Sequence, residues 1–405
     1  MEISRRTLLA AAAIPLTGVG AACAARTAER FYIRPGGEGD GSSWDEAASL
    51  GAIGELIAQL IPGGEILIAA DAGAYEIDDA IEISAGGRAD KPIRVRGVAS
   101  ETGEPSPVAI RGVSTDDEQP EAFRLLRGAD HLHFSHFAFA HIGNGCFRVG
   151  APVSNLTIED CSFADVYRFL ENGVSRGQRD ASIRGFAIRR CQGEGVERGF
   201  LRVRYGSRDG VIEDCRAVGL ANEGGNIPAG CALDDRASAI TFRRCVMENF
   251  QQWRAGEYWN GDGFSDEENN SAIRYEACEA RGSTDGGFDC KSRDVVFENC
   301  IAEDNKRNFR IWSARGAMRG CVSRNPNFRG RGQENADSCH IWIGGENARV
   351  AIDQLIIEDQ DGTAVFGFEH DSALAEVRGI ELRSPARNWG ASVSEGEGVL
   401  TARQD

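Results

Sequence analysis

Short segments in which apolar and polar residues alternate recur along most of the chain, separated by Gly, Asn and Asp residues. One pentapeptide pattern of this kind ends in a cysteine each time, at Cys161, Cys191, Cys215, Cys245, Cys278, Cys300 and Cys321. Successive cysteines are 21 to 33 residues apart, and self-similarity at such a period indicates a solenoid. Because short alternating segments joined by turns are β-strands, the pattern predicts an all-β fold, a single-stranded right-handed parallel β-helix.

A second series of apolar residues recurs between the cysteines, at Phe147, Leu201, Cys231, Phe264, Phe288, Phe309 and Ile341. Side chains of a strand alternate between its two faces, so an inward position for this series directs the residues after it outward. The first outward column is Arg148, Arg202, Ala232, Ser265, Asp289, Arg310 and Trp342. The second column, two residues further on, is Arg204, Asp234, Glu267, Lys291 and Trp312. Such a polar and aromatic strip indicates a carbohydrate groove, and ordinary solvated alternation is the alternative.

The first 25 residues predict export and are excluded from the fold. Arg5 and Arg6 precede an apolar run from Leu8 to about Val19, and small residues follow it. The run is too short to span a membrane, and the segment resembles a twin-arginine export signal. We expect a periplasmic or secreted protein, with lipidation at Cys23 as the alternative.

The rest of the chain predicts one β-helix domain over 26–385 and a C-terminal tail over 386–405, where the repeat pattern is lost. Leu50, Ile53, Ile57 and Leu60 lie on one face of a predicted helix near the start of this domain. We expect this helix to cap the N-terminal end of the solenoid, because exposed coil ends invite aggregation. We expect the protein to be a monomer.

The composition narrows the class of partner. Of 405 residues, 62 are acidic and 45 basic, a formal net charge of −17, which argues against nucleic acid or an anionic membrane surface. An anionic substrate would therefore need local cations. Twelve cysteines in an exported protein would ordinarily suggest disulfides, but residues stacked in a ladder need not be bonded, so we expect free thiols.

Three motifs on successive predicted coils carry the candidate chemistry. They are NGDGFSDEE with Asp262, STDGGFDCKS with Asp285 and Asp289, and RNFRIWS with Arg310. This stretch of about 55 residues resembles the calcium-dependent pectate lyases of polysaccharide lyase family nine, which are right-handed parallel β-helices. That family carries a DGF aspartate on one coil, a DDGFD or DDGWD cluster on the next and a basic residue after a phenylalanine on the third. Gly286 stands where the family has its middle aspartate, and Arg310 stands where it has its catalytic lysine.

The resemblance implies a Ca²⁺ site and cleavage of a uronate chain by β-elimination. The implied calcium ligands are Asp262, Asp285 and Asp289, with Glu267 in place of the missing aspartate. Calcium takes six to eight oxygen ligands, which three carboxylates from neighbouring coils would supply in part. Calcium and the arginines would neutralise the uronate carboxylate, which makes the neighbouring proton acidic.

Arg310 and Lys291 are the candidate catalytic residues. The family position favours Arg310 as the base, but an arginine is effectively always protonated. Arg310 therefore also fits a carboxylate clamp, with Lys291 as the proton acceptor. The predicted substrate-binding residues are Arg202, Arg204, Asp234, Trp312 and Trp342, and the predicted partner is an acidic polysaccharide.

Two other function classes stay open. STDGGFD also looks like the NTDG motif of polygalacturonase-type hydrolases, which use two further aspartates on the next coil for inverting catalysis, but no such pair follows residue 289 in order. A non-catalytic carbohydrate-binding β-helix would show the same groove without turnover. The sequence does not select among pectate, alginate, glycosaminoglycan and bacterial exopolysaccharide.

Overall fold

The computed structural model describes residues 26–115, 118–173, 179–223, 226–254, 257–329 and 338–404. The predicted export signal over residues 1–25 and Cys23 lie outside the described residues. The described chain is a parallel β-helix, which confirms the predicted fold. Among the described residues no helix combines the length and the apolar character needed to cross a bilayer.

The fold consists almost entirely of short strands. In chain order they are β1 Ala28–Ile33, β2 Leu60–Ala69, β3 Tyr75–Glu76, β4 Ile81–Ile83, β5 Ile93–Val98, β6 Val108–Arg111, β7 Phe123–Leu125, β8 Leu132–Ser135, β9 Phe137–Ile142, β10 Phe147–Val149, β11 Val153–Glu159, β12 Ser162–Asn172, β13 Ile183–Arg189, β14 Gln192–Val203, β15 Arg208–Glu213, β16 Arg216–Gly219, β17 Asn222–Glu223 and β18 Ala229–Leu233. The series continues with β19 Ser238–Arg243, β20 Val246–Glu248, β21 Gln252–Trp253, β22 Asp262–Asp266, β23 Ser271–Glu276, β24 Glu279–Arg281, β25 Gly286–Cys290, β26 Asp294–Glu298, β27 Ile301–Glu303, β28 Arg307–Ile311, β29 Arg315–Arg319, β30 Val322–Arg324, β31 Cys339–Ile343, β32 Arg349–Glu358, β33 Ala364–Phe368, β34 Leu374–Arg383, β35 Ser392–Gly396 and β36 Val399–Arg403.

The strands stack in three parallel faces, because each strand pairs with its counterpart one coil away. The first face runs through β4, β7, β10, the ends of β12 and β14, and then β18, β22, β25, β28, β31 and β33. The second face runs from β5, β8 and β11 through β23, β26 and β29 to β32. The third face contains β6, β9, the starts of β12 and β14, and β16, β20, β24, β27 and β30. Every coil therefore contributes one short segment to each face.

A left-handed turn before each repeat cysteine explains the pentapeptide pattern. The residues that precede the seven cysteines have φ between 50° and 61°, and they are Asp160, Arg190, Asp214, Arg244, Ala277, Asn299 and Gly320. Gly, Asn and Asp tolerate this conformation best. The turn ends the second face and brings the following cysteine to the inside of the coil, where all seven are buried. All cysteines of the described residues are free thiols.

The predicted ladder of apolar residues forms the inner side of the first face. Phe264, Phe288 and Phe309 are direct partners on β22, β25 and β28. Their rings stack with centroids 4.9 Å and 5.1 Å apart and with interplanar angles of 4°. The outward column follows as predicted, since Ser265 pairs with Asp289 and Asp289 with Arg310.

The ladder contains one coil more than the sequence pattern predicts. Leu170 on β12 stands between Phe147 and Leu201, so Glu171 stands between Arg148 and Arg202 in the outward column. The signal is weak because β12 runs without interruption from the third face to the first face. No glycine separates the third-face part of β12 from its first-face part.

The two ends of the solenoid differ. A 3₁₀ turn, Leu50–Ala52, leads into the one short α-helix of the described residues, α1 Ile53–Gln59. The predicted capping helix is present and its residues Ile53 and Ile57 are buried, but it is shorter than predicted, because Leu50 lies in the 3₁₀ turn and Leu60 begins β2. At the other end β36 pairs antiparallel with β34 and β35, so residues 392–403 form a hairpin on the last coil.

Candidate functional site

A cleft of about 380 Å³ opens on the first face and collects most of the predicted site residues. They come from β14, β18, β22, β25 and β28 or from the residues just before or after these strands. The predicted residues that line the cleft are Arg202, Asp234, Asp262, Glu267, Asp285, Asp289, Lys291 and Arg310. These residues lie close together because the parallel register stacks each residue of one coil on its counterpart in the next coil.

Arg310 connects two carboxylates at the base of the cleft. Its Nη1 atom donates to Oδ2 of Asp285 at 3.0 Å and to Oδ2 of Asp289 at 3.2 Å. Both aspartate side chains are buried, and that of Arg310 retains 20% exposure. Burial lowers the pKa of Arg310, but the charges of Asp289 and Asp285 outweigh it, so the pKa is raised and the guanidinium stays charged.

Lys291, like Arg310, lies between two carboxylates of the cleft, those of Glu267 and Asp289. Its Nζ atom lies 2.9 Å and 3.0 Å from the two carboxylate oxygens of Glu267 and 3.5 Å from Oδ2 of Asp289. Burial lowers the pKa of Lys291, but the charge of Asp289 and the hydrogen bond to Glu267 outweigh it and raise the pKa. Lys291 is therefore an ammonium in the resting protein, with a half-exposed carboxylate as its partner.

Asp262 faces the same carboxylates without a cation of its own. Its Oδ1 atom accepts a hydrogen bond from the Gly286 N–H at 2.8 Å. Burial, followed by the negative charges of Asp289 and Asp285, raises the pKa of Asp262 well above its usual range. A Cβ at Gly286 would lie 3.0 Å from Oδ1 of Asp262 and 3.0 Å from Cβ of Asp289, so glycine at this position gives these side chains room.

Sequence reasoning missed the aromatic and basic residues behind Asp285. The hydroxyl of Tyr258 donates to Oδ1 of Asp285. Nη1 of Arg307 lies 2.9 Å from that hydroxyl and 3.1 Å from the same Oδ1 atom. Lys306 is fully buried with Nζ 3.8 Å from the centre of the Tyr258 ring. Tyr258 lies in the segment between β21 and β22, which has no periodic signal, so only its aromatic neighbours before the DGF motif could have drawn attention to it.

Three predicted substrate-binding residues do not line the cleft. Trp312 donates from Nε1 to Oδ1 of Asp289 at 3.1 Å. The ring of Trp342 lies 4.5 Å from the guanidinium carbon of Arg307 and is buried. Arg204 donates to Oε1 of Glu171 at 2.6 Å. Trp312 therefore supports Asp289 of the cleft, and Trp342 packs on Arg307 behind Asp285.

The carboxylates of Asp285 and Asp289, two of the predicted calcium ligands, are not arranged to bind Ca²⁺ in this structure, because other side chains already occupy their oxygens. Both oxygens of Asp285 accept hydrogen bonds, from Tyr258 and Arg307 at one and from Arg310 at the other. Both oxygens of Asp289 likewise accept hydrogen bonds, from Trp312 and Arg310. Within the described ranges, no group of three or more potential ligand residues is positioned to hold a metal ion. The calcium site stays a prediction from the resemblance.

A larger cavity, of about 630 Å³, lies near the N-terminal end of the solenoid, along β1, β2 and the start of β5. Two of its charged side chains, Arg30 and Glu65, are paired with each other at 2.9 Å between Nε and Oε1. None of the predicted site residues lines it. The smaller cleft on the first face is therefore the candidate functional site.

Comparison with solved structures supports the fold. The chain is similar to the crystal structure of pectate lyase Pel9A, with a TM-score of 0.55 and 18% identity over 76% of this chain and 78% of that chain. It is also similar to the GH136 lacto-N-biosidase from Eubacterium ramulus, with a TM-score of 0.52 and 13% identity over 88% of this chain and 68% of that chain. At these identities the likeness shows the fold alone. No protein-family model matches the chain, and no curated protein sequence matches it.

Proposed function

We propose that this protein is an exported polysaccharide lyase that cleaves a uronic-acid-containing polysaccharide by β-elimination in the cleft of the first face. The observation that carries the proposal is the meeting of Arg310 and Lys291 in one open cleft, where each already holds a carboxylate. Groups arranged to bind protein carboxylates also suit the carboxylate of a uronate. The fold shared with a pectate lyase supports the same reaction class.

Arg310 is the proposed carboxylate clamp. Its guanidinium is fixed by two aspartates and lies 5.1 Å from the centre of the Trp312 ring, so it is positioned before substrate arrives. A guanidinium on the uronate carboxylate neutralises the charge that would otherwise oppose removal of the adjacent proton. Preorganised donors of this kind are worth most where charge develops in the transition state.

Lys291 is the proposed proton-transfer residue. The Lys291 ammonium first loses one proton to solvent. The resulting neutral amine takes the proton on C5 of the uronate, the electron pair of the C5–H bond forms the C4–C5 double bond, and the C4–O bond breaks. The leaving oxygen takes a proton from water. Since Glu267 is half-exposed, it can move away from Lys291 when the polymer enters the cleft.

A hydrolase is the second candidate. Asp262, Asp285 and Asp289 lie in one cleft, and burial together with the neighbouring charges raises the pKa of Asp262. A carboxyl with a raised pKa beside an ionised one is the arrangement that glycosidases use for acid and base. The likeness to a lacto-N-biosidase fold is compatible with this candidate.

The test of the lyase is a panel of pectate, alginate, glycosaminoglycan and bacterial uronate polymers, followed by ultraviolet absorbance of the unsaturated product. We expect absorbance from at least one polymer, and a loss of about 10²- to 10⁴-fold in rate for Lys291→Ala. Arg315→Ala is a matched control, because Arg315 is an exposed arginine on the second face. Turnover of a responsive polymer at the unaltered rate by both Arg310→Ala and Lys291→Ala would contradict the proposal.

A further inference from the structure

Beside the cleft, the first face carries a concentration of arginines around one buried carboxylate. Glu171 accepts hydrogen bonds from Arg148 and, at 2.6 Å, from Arg204. It also forms an ion pair with Arg168, at 2.6 Å between Nε and Oε2. The Glu171 side chain is only 4% exposed. Three guanidinium groups therefore share a single buried negative charge.

A fourth guanidinium extends this cluster toward the cleft. Arg202 pairs with Glu171 in the register of the first face, and its Nε and Nη2 atoms lie 2.8 Å and 2.6 Å from Oδ2 of Asp234. These four arginines, 148, 168, 202 and 204, face two carboxylates, which leaves a local charge of +2 (4 − 2) in a chain whose net charge is −17. We call these four arginines with Glu171 and Asp234 the arginine cluster.

The arginine cluster is partly open to solvent on the side of the cleft. Arg202 is 34% exposed and lines the cleft, and it also lines a smaller depression together with Arg168 and Arg198. The two hollows share the stretch of wall formed by Ile227, Ala229 and Ala232. A chain bound in the cleft would therefore continue over the arginine cluster.

Bringing excess positive charge together at partly buried positions is costly unless a negative charge compensates it. Burial, followed by the charge of Arg148, lowers the pKa of Arg168 to about 10 despite the opposing effect of Glu171. The Nε atoms of Arg148 and Arg204 are buried without a hydrogen-bond partner among the described residues. The protein alone thus leaves the positive charge of the cluster incompletely compensated.

We propose that the arginine cluster is a second anion-binding subsite, which takes a carboxylate or sulfate group of the same polymer several sugar units away from the group held by Arg310. Arg202 and Arg310 are four strand steps apart in the register, a separation of about 19 Å at ~4.8 Å per step. A short oligosaccharide cannot span this distance and a longer one can. The proposal rests on the proposed cleavage of an acidic polysaccharide and names the charge spacing that its substrate carries.

The test measures binding of labelled oligosaccharides to the full chain by fluorescence anisotropy, so it does not depend on turnover. The probes are a galacturonate hexasaccharide, its neutral methyl ester, a galacturonate disaccharide and a chondroitin sulfate hexasaccharide. The Lys291→Ala background prevents cleavage of the probes. Arg202→Gln and Arg168→Gln remove charges of the cluster, and Arg243→Gln is the matched control, because Arg243 is a paired arginine on the second face.

We expect at least one of the two anionic hexasaccharides to bind more tightly than the neutral ester. Each cluster variant should weaken that binding about tenfold, the equivalent of ~1.4 kcal/mol, and should leave disaccharide binding unchanged. If Arg168→Gln fails to fold, Arg202→Gln alone decides, because its side chain is the more exposed of the two.

Three outcomes would contradict the proposed subsite. They are binding of the neutral ester as tight as that of the anionic hexasaccharides, unchanged hexasaccharide affinity in Arg202→Gln, and a loss of affinity in Arg243→Gln as large as that in the cluster variants. Failure of the lyase proposal would look different, since it would leave charge-dependent binding intact and yield no unsaturated product from any polymer.

Discussion

Arg310 stands directly beside Asp289 on the next coil, and its Nη1 atom lies 3.2 Å from Oδ2 of that aspartate. The same nitrogen reaches Oδ2 of Asp285 at 3.0 Å. A guanidinium therefore lies between two carboxylates that the resemblance assigns to calcium. The two cations would compete for the same lone pairs, and this competition can be measured.

Calcium should leave the melting temperature of the protein unchanged, because Arg310 already neutralises Asp285 and Asp289. A bound ion would stabilise the native state by mass action, so thermal unfolding with Ca²⁺ and with EDTA measures its presence. Arg310→Met removes the hydrogen bonds to Oδ2 of Asp285 and Oδ2 of Asp289 and should make the melting temperature rise with Ca²⁺. If Ca²⁺ instead raises the melting temperature of the unaltered protein and Asp289→Ala abolishes the rise, the calcium prediction from the resemblance is right.

Removing one ring of the stacked ladder should destabilise the whole β-helix. Phe288 is fully buried between Phe264 and Phe309, and truncation of such a ring typically costs about 3 to 5 kcal/mol. Phe288→Ala should therefore lower the urea midpoint strongly. Val296→Ala is the control, because Val296 is only partly buried on the second face. Equal midpoints for the two variants would show that the ladder does not limit stability.

Much of the fold was predictable from the sequence because a parallel β-helix repeats its local rules. The left-handed turn before each cysteine and the two-residue alternation fix which side chains face inward. That alternation correctly placed Asp289, Lys291 and Arg310 on the outer side of the first face. It could not reveal Leu170 and Glu171, whose coil lacks a glycine boundary.

The finer geometry of the site could not be predicted, because it depends on side-chain pairing and on segments without periodicity. The sequence pattern predicts that Trp312 binds substrate in the groove, whereas in the structure its indole N–H donates a hydrogen bond to Asp289. Tyr258 reaches Asp285 from a segment between strands, at a sequence distance of 27 residues. An alternating pattern specifies a direction for each side chain and leaves its partner undetermined.

The rate of the proposed elimination should rise with pH. Asp289 and Glu267 raise the pKa of Lys291 above its ordinary value, so only a small fraction is the neutral amine near neutrality, and that fraction grows as the pH increases. We expect kcat/KM to increase from mildly acidic to alkaline pH, and Lys291→Ala to remove this dependence. A profile that is flat, or that falls with increasing pH, would exclude Lys291 as the base.

Lys306 should destabilise the protein near neutral pH. Its ammonium is buried over the rings of Tyr258 and Phe328. Burial lowers its pKa from 10.5 to about 8, because the charges of Arg307 and Arg310 add to the effect of burial and the opposing charge of Asp285 does not offset it. The unfolded chain then binds this proton more tightly than the native one does, so stability rises with pH between these two values.

Lys306→Met should raise the melting temperature at neutral pH, and the gain should shrink above the ordinary lysine pKa. Lys91→Met is the control, because Lys91 is exposed. A lower melting temperature for Lys306→Met at every pH would mean that the cation–π contact with Tyr258 outweighs the cost of burial.

The most direct test of β-elimination is digestion of a responsive polymer in water enriched in oxygen-18, followed by mass spectrometry of the products. A lyase breaks the C4–O bond without adding water across it, whereas a hydrolase adds one solvent oxygen per cleavage, at the anomeric carbon of the new reducing end, and the new non-reducing end keeps the original bridging oxygen. We expect unsaturated products with no oxygen-18 at the cleaved bond, and we expect Arg310→Ala to lose this product. Saturated products with one oxygen-18 atom at each newly formed reducing end would contradict the account and favour the hydrolase.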